Sequence, residues 1–473
     1  MKTVRFFSLQ VCLILACLVA VQAQSFDRFF LDKTMRVDYY HTGSKGTELI
    51  SLDQVYEEGQ WPGGKVNLLD TLNLGEYLVR AYDVATASMI FSRGYSSMFN
   101  EWQSTDEAND GIYRTFHETV RFPYPRQSVQ VTISRRDRQM ILHEVFSTVI
   151  DPNSPKDVHR EKRVAEFKVD QLVNNGPPEK KVDLVIVGDG YAKKDMDKFR
   201  KDAKHFTDVL FGTSPFKERQ KDFNVWLIEV ESKESGIDKP DKNEWKNNEL
   251  GTKYNTFNTP RYVLTEENRR LRDILAAVPY DFIHILCNDN RYGGGGIYNL
   301  YATCFTKTDK EGMEWQMDYV YVHEFGHSFA GLGDEYYSSQ VAYTDFYKKG
   351  VEPNITALVD KNDLKWKSFV ETGTPLPTPW EKAQYDSLEH ERGKLDRLAP
   401  DYYEKREPLY QAEEQIIKTT KYAGKVGAFE GAGYASQGLY RPSADCRMFS
   451  LSLVGFDPVC TAAINRMIDF YSR

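Results

Sequence analysis

Tyr319-Val320-Tyr321-Val322-His323-Glu324-Phe325-Gly326-His327-Ser328-Phe329-Ala330-Gly331-Leu332-Gly333-Asp334-Glu335-Tyr336 is the stretch on which the reading of this chain turns. A mostly apolar run of this length, ended by glycine, predicts a buried helix. His323 and His327 stand four residues apart, slightly more than one helical turn, so their rings project from the same face, one above the other. This is the His-Glu-x-x-His spacing, in which two imidazoles reach one Zn²⁺ at about 2.0–2.1 Å. Glu324, one residue round from the first histidine, would flank the water that such a metal activates and serve as general base, then general acid. The chain carries its own controls: four positions after the histidines of His117-Glu118 and His143-Glu144 come Arg121 and Ser147, so neither pair completes the pattern. Burying two histidines without polar partners or a metal is costly, which favours the metal.

Catalytic zinc takes a third protein ligand and keeps a further position open. Gly331 and Gly333 supply the backbone freedom for a reversal after the helix, and Asp334 follows them. In the metzincin pattern, His-Glu-x-x-His-x-x-Gly-x-x-His/Asp, a glycine turns the chain back and the last ligand stands three residues later. Gly331 and Asp334 keep that step, although Asp334 lies seven residues after His327 where the pattern has six. Asp334 is therefore the expected third ligand and Glu335 its competitor.

The run from 323 to 337, HEFGHSFAGLGDEYY, resembles the family of the bacterial IgA-specific zinc metallopeptidase. Residues 185–191 (VIVGDGY), 291–299 (RYGGGGIYN), 429–434 (FEGAGY), 438–442 (GLYRP) and Cys446-Arg447-Met448 resemble further segments of it, so the likeness covers most of 181–473 and, more weakly, the part before. The resemblance implies a zincin-like, metzincin-related α/β metallopeptidase domain behind an N-terminal accessory domain, with Zn²⁺ as cofactor and a protein or peptide as substrate. It also makes Met448 the methionine turn, an apolar and polarisable floor under the imidazoles. Tyr434, Tyr440 and Arg441 precede that turn, and one of them could face the cleft and stabilise an oxyanion. The family name does not carry over immunoglobulin A as substrate.

Residues 1–23 read as a signal peptide: Lys2 and Arg5 form a basic start, residues 6–20 an apolar core, and Val21-Gln22-Ala23 a small-residue cleavage site. The core is too short for a membrane span, so the mature chain is expected to be secreted or held in the cell envelope without a transmembrane segment. The whole chain carries a formal charge of −8, and loss of the leader makes it two units more acidic, which argues against nucleic-acid binding. Cys287, Cys304, Cys446 and Cys460 remain after the leader. In an oxidising compartment, sequence proximity favours pairing Cys287 with Cys304 and Cys446 with Cys460, while other pairings or none stay open. No Cys-x-x-Cys is present, which argues against a thiolate zinc site.

Working outward, residues 24–152 read as an all-β accessory sandwich, with alternating segments at 34–40, 76–82, 111–122, 129–134 and 140–149 and breaks at Trp61-Pro62-Gly63-Gly64 and Pro123-Tyr124-Pro125. Residues 153–181, rich in Pro, Gly and charge, read as a linker with one further strand near 164–172. From 182 to 473 strands alternate with helices, the mark of an α/β domain. Gly293-Gly294-Gly295-Gly296 lacks the lysine of a phosphate loop. These glycines are expected either to form an edge strand, where Gly295 and Gly296 let substrate backbone approach, or a plain turn. His284 is expected to be a satisfied core histidine. The charged segment 338–428 is expected to wall the lower side of a substrate groove, with its charges on a solvated face. Asn354-Ile355-Thr356 is a formal glycosylation acceptor. Two rival functions remain at this level, another zinc hydrolysis such as deacetylation and a binding protein whose metal site is structural or idle.

Overall fold

A computed structural model describes residues 26–161, 165–309, 312–337, 350–357, 360, 362–396, 401–451 and 453–473. The leader expected at 1–23 lies outside the described residues.

The first half is built from β1 (Phe30–Ser44), β2 (Thr47–Glu58), β3 (Tyr77–Asp83), β4 (Ser88–Tyr95), β5 (Arg114–Pro125), β6 (Val129–Arg136), β7 (Leu142–Ile150) and β8 (Val158–His159). Lys45-Gly46 closes the β1–β2 hairpin, with Ser44 opposite Thr47 and Gly46 at φ +76°, the two-residue loop that suits twisted antiparallel strands. Two four-stranded sheets result, in the orders β5-β1-β2-β8 and β4-β3-β6-β7. They face each other across one core holding Val37, Tyr39 and Val55 from the first and Val79, Phe91 and Val131 from the second. β3 alternates buried and half-buried residues along its length, as a strand with one core face should.

The chain between the strands does more than connect them. A short helix, α1 (Met98–Gln103), capped by Ser97, sends Met98, Phe99 and Trp102 into a second core shared with Val185, Val187 and Ile283 of the later half. Arg36 reaches Asp273 at 2.7 Å, and Arg121 donates to the Tyr280 carbonyl at 2.9 Å. The stretch read as a linker is absorbed at both ends: β8 pairs with β2, and β9 (Lys168–Val173) joins the sheet of the later half. Charged and Pro-rich composition marks an exposed edge here rather than a free connection.

That later sheet contains β9, β10 (Val182–Asp189), β11 (Phe223–Glu229), β12 (Phe282–Cys287), β13 (Gly294–Ile297) and β14 (Tyr301–Phe305) in the order β13-β14-β12-β10-β11-β9. The inner pairings are parallel and the two edge strands antiparallel. β10 is buried at every position, so it reads as a continuous apolar run, as central parallel strands do. Helices α2 (Met196–Gly212), α3 (Asn268–Leu275), α4 (Trp315–Ala330), α5 (Lys382–Gly393), α6 (Tyr402–Thr419) and α7 (Pro458–Ser472) complete the half, with a hairpin of β15 (Phe429–Ala432) and β16 (Ala435–Arg441) before α7. α2, α4 and α7 share a core on one face of the sheet, and α3 packs on the other. The whole is a mixed α/β protein. No helix among the described residues is long and apolar enough to cross a membrane.

The glycine run explains how close α4 lies to the sheet. A Cβ on Gly296 would sit 2.3 Å from the Glu324 carbonyl oxygen and 2.9 Å from His327 Cβ, and one on Gly294 would meet Val320 at 2.7 Å. The glycines form edge strand β13, but Gly295 points the other way, onto Tyr262 and Leu264. At Gly294 the outer edge is taken by Arg261 and Val263 of the same chain. Gly294 and Gly296 are thus small where the helix approaches, whereas Gly295 lies against Tyr262 and Leu264.

Candidate metal centre

α4 is buried on nearly all sides and stops at Gly331, whose left-handed φ of +61° a side chain would resist. Its N–H caps the His327 carbonyl at 3.0 Å, and the chain then turns back beneath the helix face that carries the histidines. The turn brings three donor atoms together. Asp334 Oδ1 lies 3.0 Å from His323 Nε2 and 3.1 Å from His327 Nε2, and the two ring nitrogens are themselves 3.1 Å apart. The imidazole planes cross at 88°.

Each ring has its other nitrogen fixed. His323 Nδ1 lies 3.1 Å from the Arg447 carbonyl, and His327 Nδ1 lies 2.6 Å from the Leu332 carbonyl. A carbonyl only accepts, so both Nδ1 atoms carry the hydrogen and both Nε2 lone pairs point at Asp334. Two lone pairs and a carboxylate aimed at one point need a shared proton or a cation between them. A proton is one answer: burial works against charge on His327, yet Asp334 holds its pKa up to about 9. Burial likewise opposes the Asp334 carboxylate, but His327 and His323 hold it well below the usual carboxylate range. A metal ion is the other answer, and separations near 3 Å with the outer nitrogens held by carbonyls suit a metal ligated at about 2 Å.

The surroundings orient this set. The Tyr434 hydroxyl donates to Asp334 Oδ2, and Tyr434 adopts φ +65°, a conformation held by bonds from Gly433 N to the Asp334 carbonyl and from Tyr434 N to the Tyr336 carbonyl, each 2.9 Å. Tyr319 donates to the Arg447 carbonyl at 2.7 Å, beside His323. The Met448 thioether lies 3.3 Å from where a Cβ on Gly326 would be, between the histidines in sequence, and its side chain is fully buried. Glu324 faces a cavity of about 510 Å³ that also contains both histidines and Asp334. Burial pushes the Glu324 carboxyl above its ordinary range, against the pull of the two histidines.

The other candidates fall elsewhere. Glu335 is fully buried and turned away from the histidines, accepting from Asn354 Nδ2 at 2.9 Å. Successive residues of an extended segment point to opposite sides, so Asp334 and Glu335 cannot both face the cavity. Tyr440 packs with Leu364, Trp366 and Val426 rather than lining the cavity. Arg441 is fully buried, with its guanidinium 3.7 Å from the Phe449 ring. Asn354 is also fully buried and clamps Gly333 on both sides, so it is not a glycosylation acceptor in the folded chain. Cys287, Cys304, Cys446 and Cys460 are free thiols. Cys287 and Cys304 lie on adjacent strands but enter different cores on opposite faces of the sheet, which rules out the first favoured disulfide.

Charges read as solvated in fact line the cavity. Arg392 of α5 meets Glu413 of α6 at 2.8 Å, and Arg406 and Glu389 join them on its wall. Gly75, Ser96 and Glu101 of the first half close another side. Neither contribution has a local pattern, since each depends on which helix face the fold turns inward. Only the i, i+3 pairing of Glu389 with Arg392 hinted at it.

Comparison with known families finds two matches. The family described as IgA Peptidase M64 matches residues 171–468, and the one described as Peptidase M64 N-terminus matches residues 25–147. No curated protein matches the chain.

Proposed function

The chain belongs to the IgA peptidase M64 family, and from that premise we propose that it is an exported zinc endopeptidase acting in the cavity above α4. The observation that carries the reading is the convergence of His323 Nε2, His327 Nε2 and Asp334 Oδ1 to about 3.1 Å on the floor of a cavity that Glu324 also faces. Export rests on the leader at 1–23 and places the mature enzyme outside the cell or in its envelope. We read the catalytic half as zincin-like, on the support of a mixed sheet whose antiparallel edge strand lies against the active helix.

In this reading His323, His327 and Asp334 hold the zinc. When bound, zinc would polarise a scissile carbonyl and acidify a water for attack. Glu324 takes the proton from the attacking water and returns it to the departing amine nitrogen. Its raised pKa, caused by burial, suits a group that must hold a proton between those steps. Arg447 and Leu332 carbonyls keep the imidazoles in register, and Tyr434 keeps Asp334 from rotating out. The cavity admits a few residues of a peptide, and its paired charges on α5 and α6 offer polar contacts to side chains or backbone.

Glu324→Gln should retain the metal and lose roughly 10²–10⁴-fold in turnover on mixed peptides. The purified mature chain should cut amide bonds in a chelator-sensitive manner. A Glu324→Gln enzyme with ordinary turnover, or a peptide digest unaffected by chelator, would overturn the reading.

A further inference from the structure

A second set of donor atoms lies behind the first. Glu335, Cys446, Asp457 and Cys460 are all buried, and one ligand atom from each lies within 4.8 Å of the others. We propose that these four residues form a closed, structural zinc site, separate from the cavity and built into the back of the catalytic floor.

Distances fit a tetrahedron. With Zn–S near 2.3 Å and Zn–O near 2.0–2.2 Å, tetrahedral edges come to about 3.8 Å between sulfurs and about 3.5 Å between sulfur and oxygen. The structure has Cys446 Sγ and Cys460 Sγ 3.8 Å apart, and Cys460 Sγ 3.3 Å from Glu335 Oε1. The polar atoms are otherwise unexplained. Glu335 Oε2 and Asp457 Oδ2 are buried with no hydrogen-bond partner, in residues that are 0% and 6% exposed. A buried carboxylate oxygen left without a partner is expensive, and two of them beside two thiols make a donor set that a cation would satisfy. Arg441 is close by, but its N–H groups donate to the Gly431 and Ala444 carbonyls rather than to either carboxylate.

Backbone donors converge on the sulfurs, although burial holds both as thiols until a cation displaces their protons. Cys446 Sγ accepts from the N–H groups of Met448 and Asp457, at 3.5 and 3.4 Å. Cys460 lies in the first turn of α7, where the helix N-terminus favours negative charge. Asp457 caps that helix through Oδ1 alone, bonding Val459 N and Cys460 N at 2.7 and 2.8 Å, which frees Oδ2. Two thiolates select zinc over magnesium or calcium, and a full set of four protein ligands marks a structural rather than catalytic ion. Loading the site would expel the two thiol protons to solvent.

The ligands are placed to brace the open site. Glu335 follows Asp334 directly, and its N–H donates to the Met448 carbonyl at 2.8 Å. Cys446 precedes Arg447, whose carbonyl holds His323 Nδ1. An ion here ties the Asp334 turn, the methionine turn and α7 to one point.

The test uses the full mature chain with His323→Ala and His327→Ala together, which vacates the open cluster and leaves the sealed one intact. Metal analysis should fall from two zinc ions per chain to one. After cobalt(II) exchange this variant should keep an intense near-ultraviolet thiolate-to-metal band, because the open cluster has no sulfur. Cys460→Ser in the same background should abolish both the band and the remaining ion. A double-histidine variant that holds no metal, or an intact-mass measurement showing Cys446 joined to Cys460 as a disulfide, would overturn the proposal. Neither readout depends on cleavage, so a chain with two ions and no peptidase activity would break the functional reading while leaving this site standing.

Discussion

Asp334 and Glu335 are neighbours in the chain and serve two clusters that differ in almost every physical respect. The cluster on the Asp334 side offers nitrogen and oxygen donors, leaves room for a ligand and opens on a cavity of about 510 Å³. The one on the Glu335 side offers sulfur and oxygen donors, is closed and has no access to that cavity. In the open cluster every ring nitrogen has a partner that fixes its role, so the donors are aimed before a metal arrives. In the sealed cluster two carboxylate oxygens have none, and a cation would supply their partner. One site is preorganised to act and the other is arranged to hold, and an extended dipeptide joins them because its side chains point to opposite sides.

The comparison is broken first at the sealed cluster, where the largest effect on stability is expected. Cys446→Ser combined with Cys460→Ser removes the soft donors and leaves two carboxylates buried. Removing one partner of a buried charge set costs about 3–5 kcal/mol, so urea melts at neutral pH should show a loss of that order. Asp334→Asn should instead empty the open cluster and abolish turnover while the midpoint of unfolding moves much less. Equal losses of stability from the two substitutions would mean that both clusters hold the fold.

A smaller change sharpens the open side alone. Tyr434→Phe keeps the ring and deletes the hydroxyl that donates to Asp334 Oδ2. Partners of metal ligands are commonly worth 10–100-fold in affinity or activity, so kcat/KM should fall by about that factor with the sealed ion unaffected. An unchanged kcat/KM would show that the turn alone positions Asp334.

The two clusters also mark how far the sequence can be read. Open-cluster donors lie within residues 323–334, and helix periodicity plus one glycine suffices to bring them together. Sealed-cluster donors are at 335, 446, 457 and 460, and the 110 residues between Glu335 and Cys446 close only through tertiary packing. The missing Cys-x-x-Cys excludes a thiolate site only if the sulfurs must be near neighbours, and here α7 and the turn that follows Cys446 bring them together instead. In the same way the alternation of β3, β5 and β6 is legible in the first half. β2 is not, because its buried positions follow no regular period. The sharing of α1 between two cores likewise has no local signal.

His284 gives the mildest test, because it is a histidine to which neither solution was applied. It sits on β12 under α4, fully buried, stacked 3.9 Å from the Tyr321 ring with both ring nitrogens lacking a hydrogen-bond partner, so it is not the satisfied core histidine its sequence suggests. Burial alone lowers its pKa to about 3. The native state therefore keeps this ring neutral, while the unfolded chain binds a proton below about pH 6.5. Stability from this residue is fully present above that value and is lost as pH falls toward 3, by about 1.4 kcal/mol per pH unit. Replacing it with phenylalanine removes the titration, so the difference between urea melts at pH 7 and pH 5 should shrink by about 2 kcal/mol in His284→Phe. If the acid dependence is unchanged, the ring finds a proton partner in the folded protein, and the contrast between histidines aimed at a metal and a histidine buried bare fails.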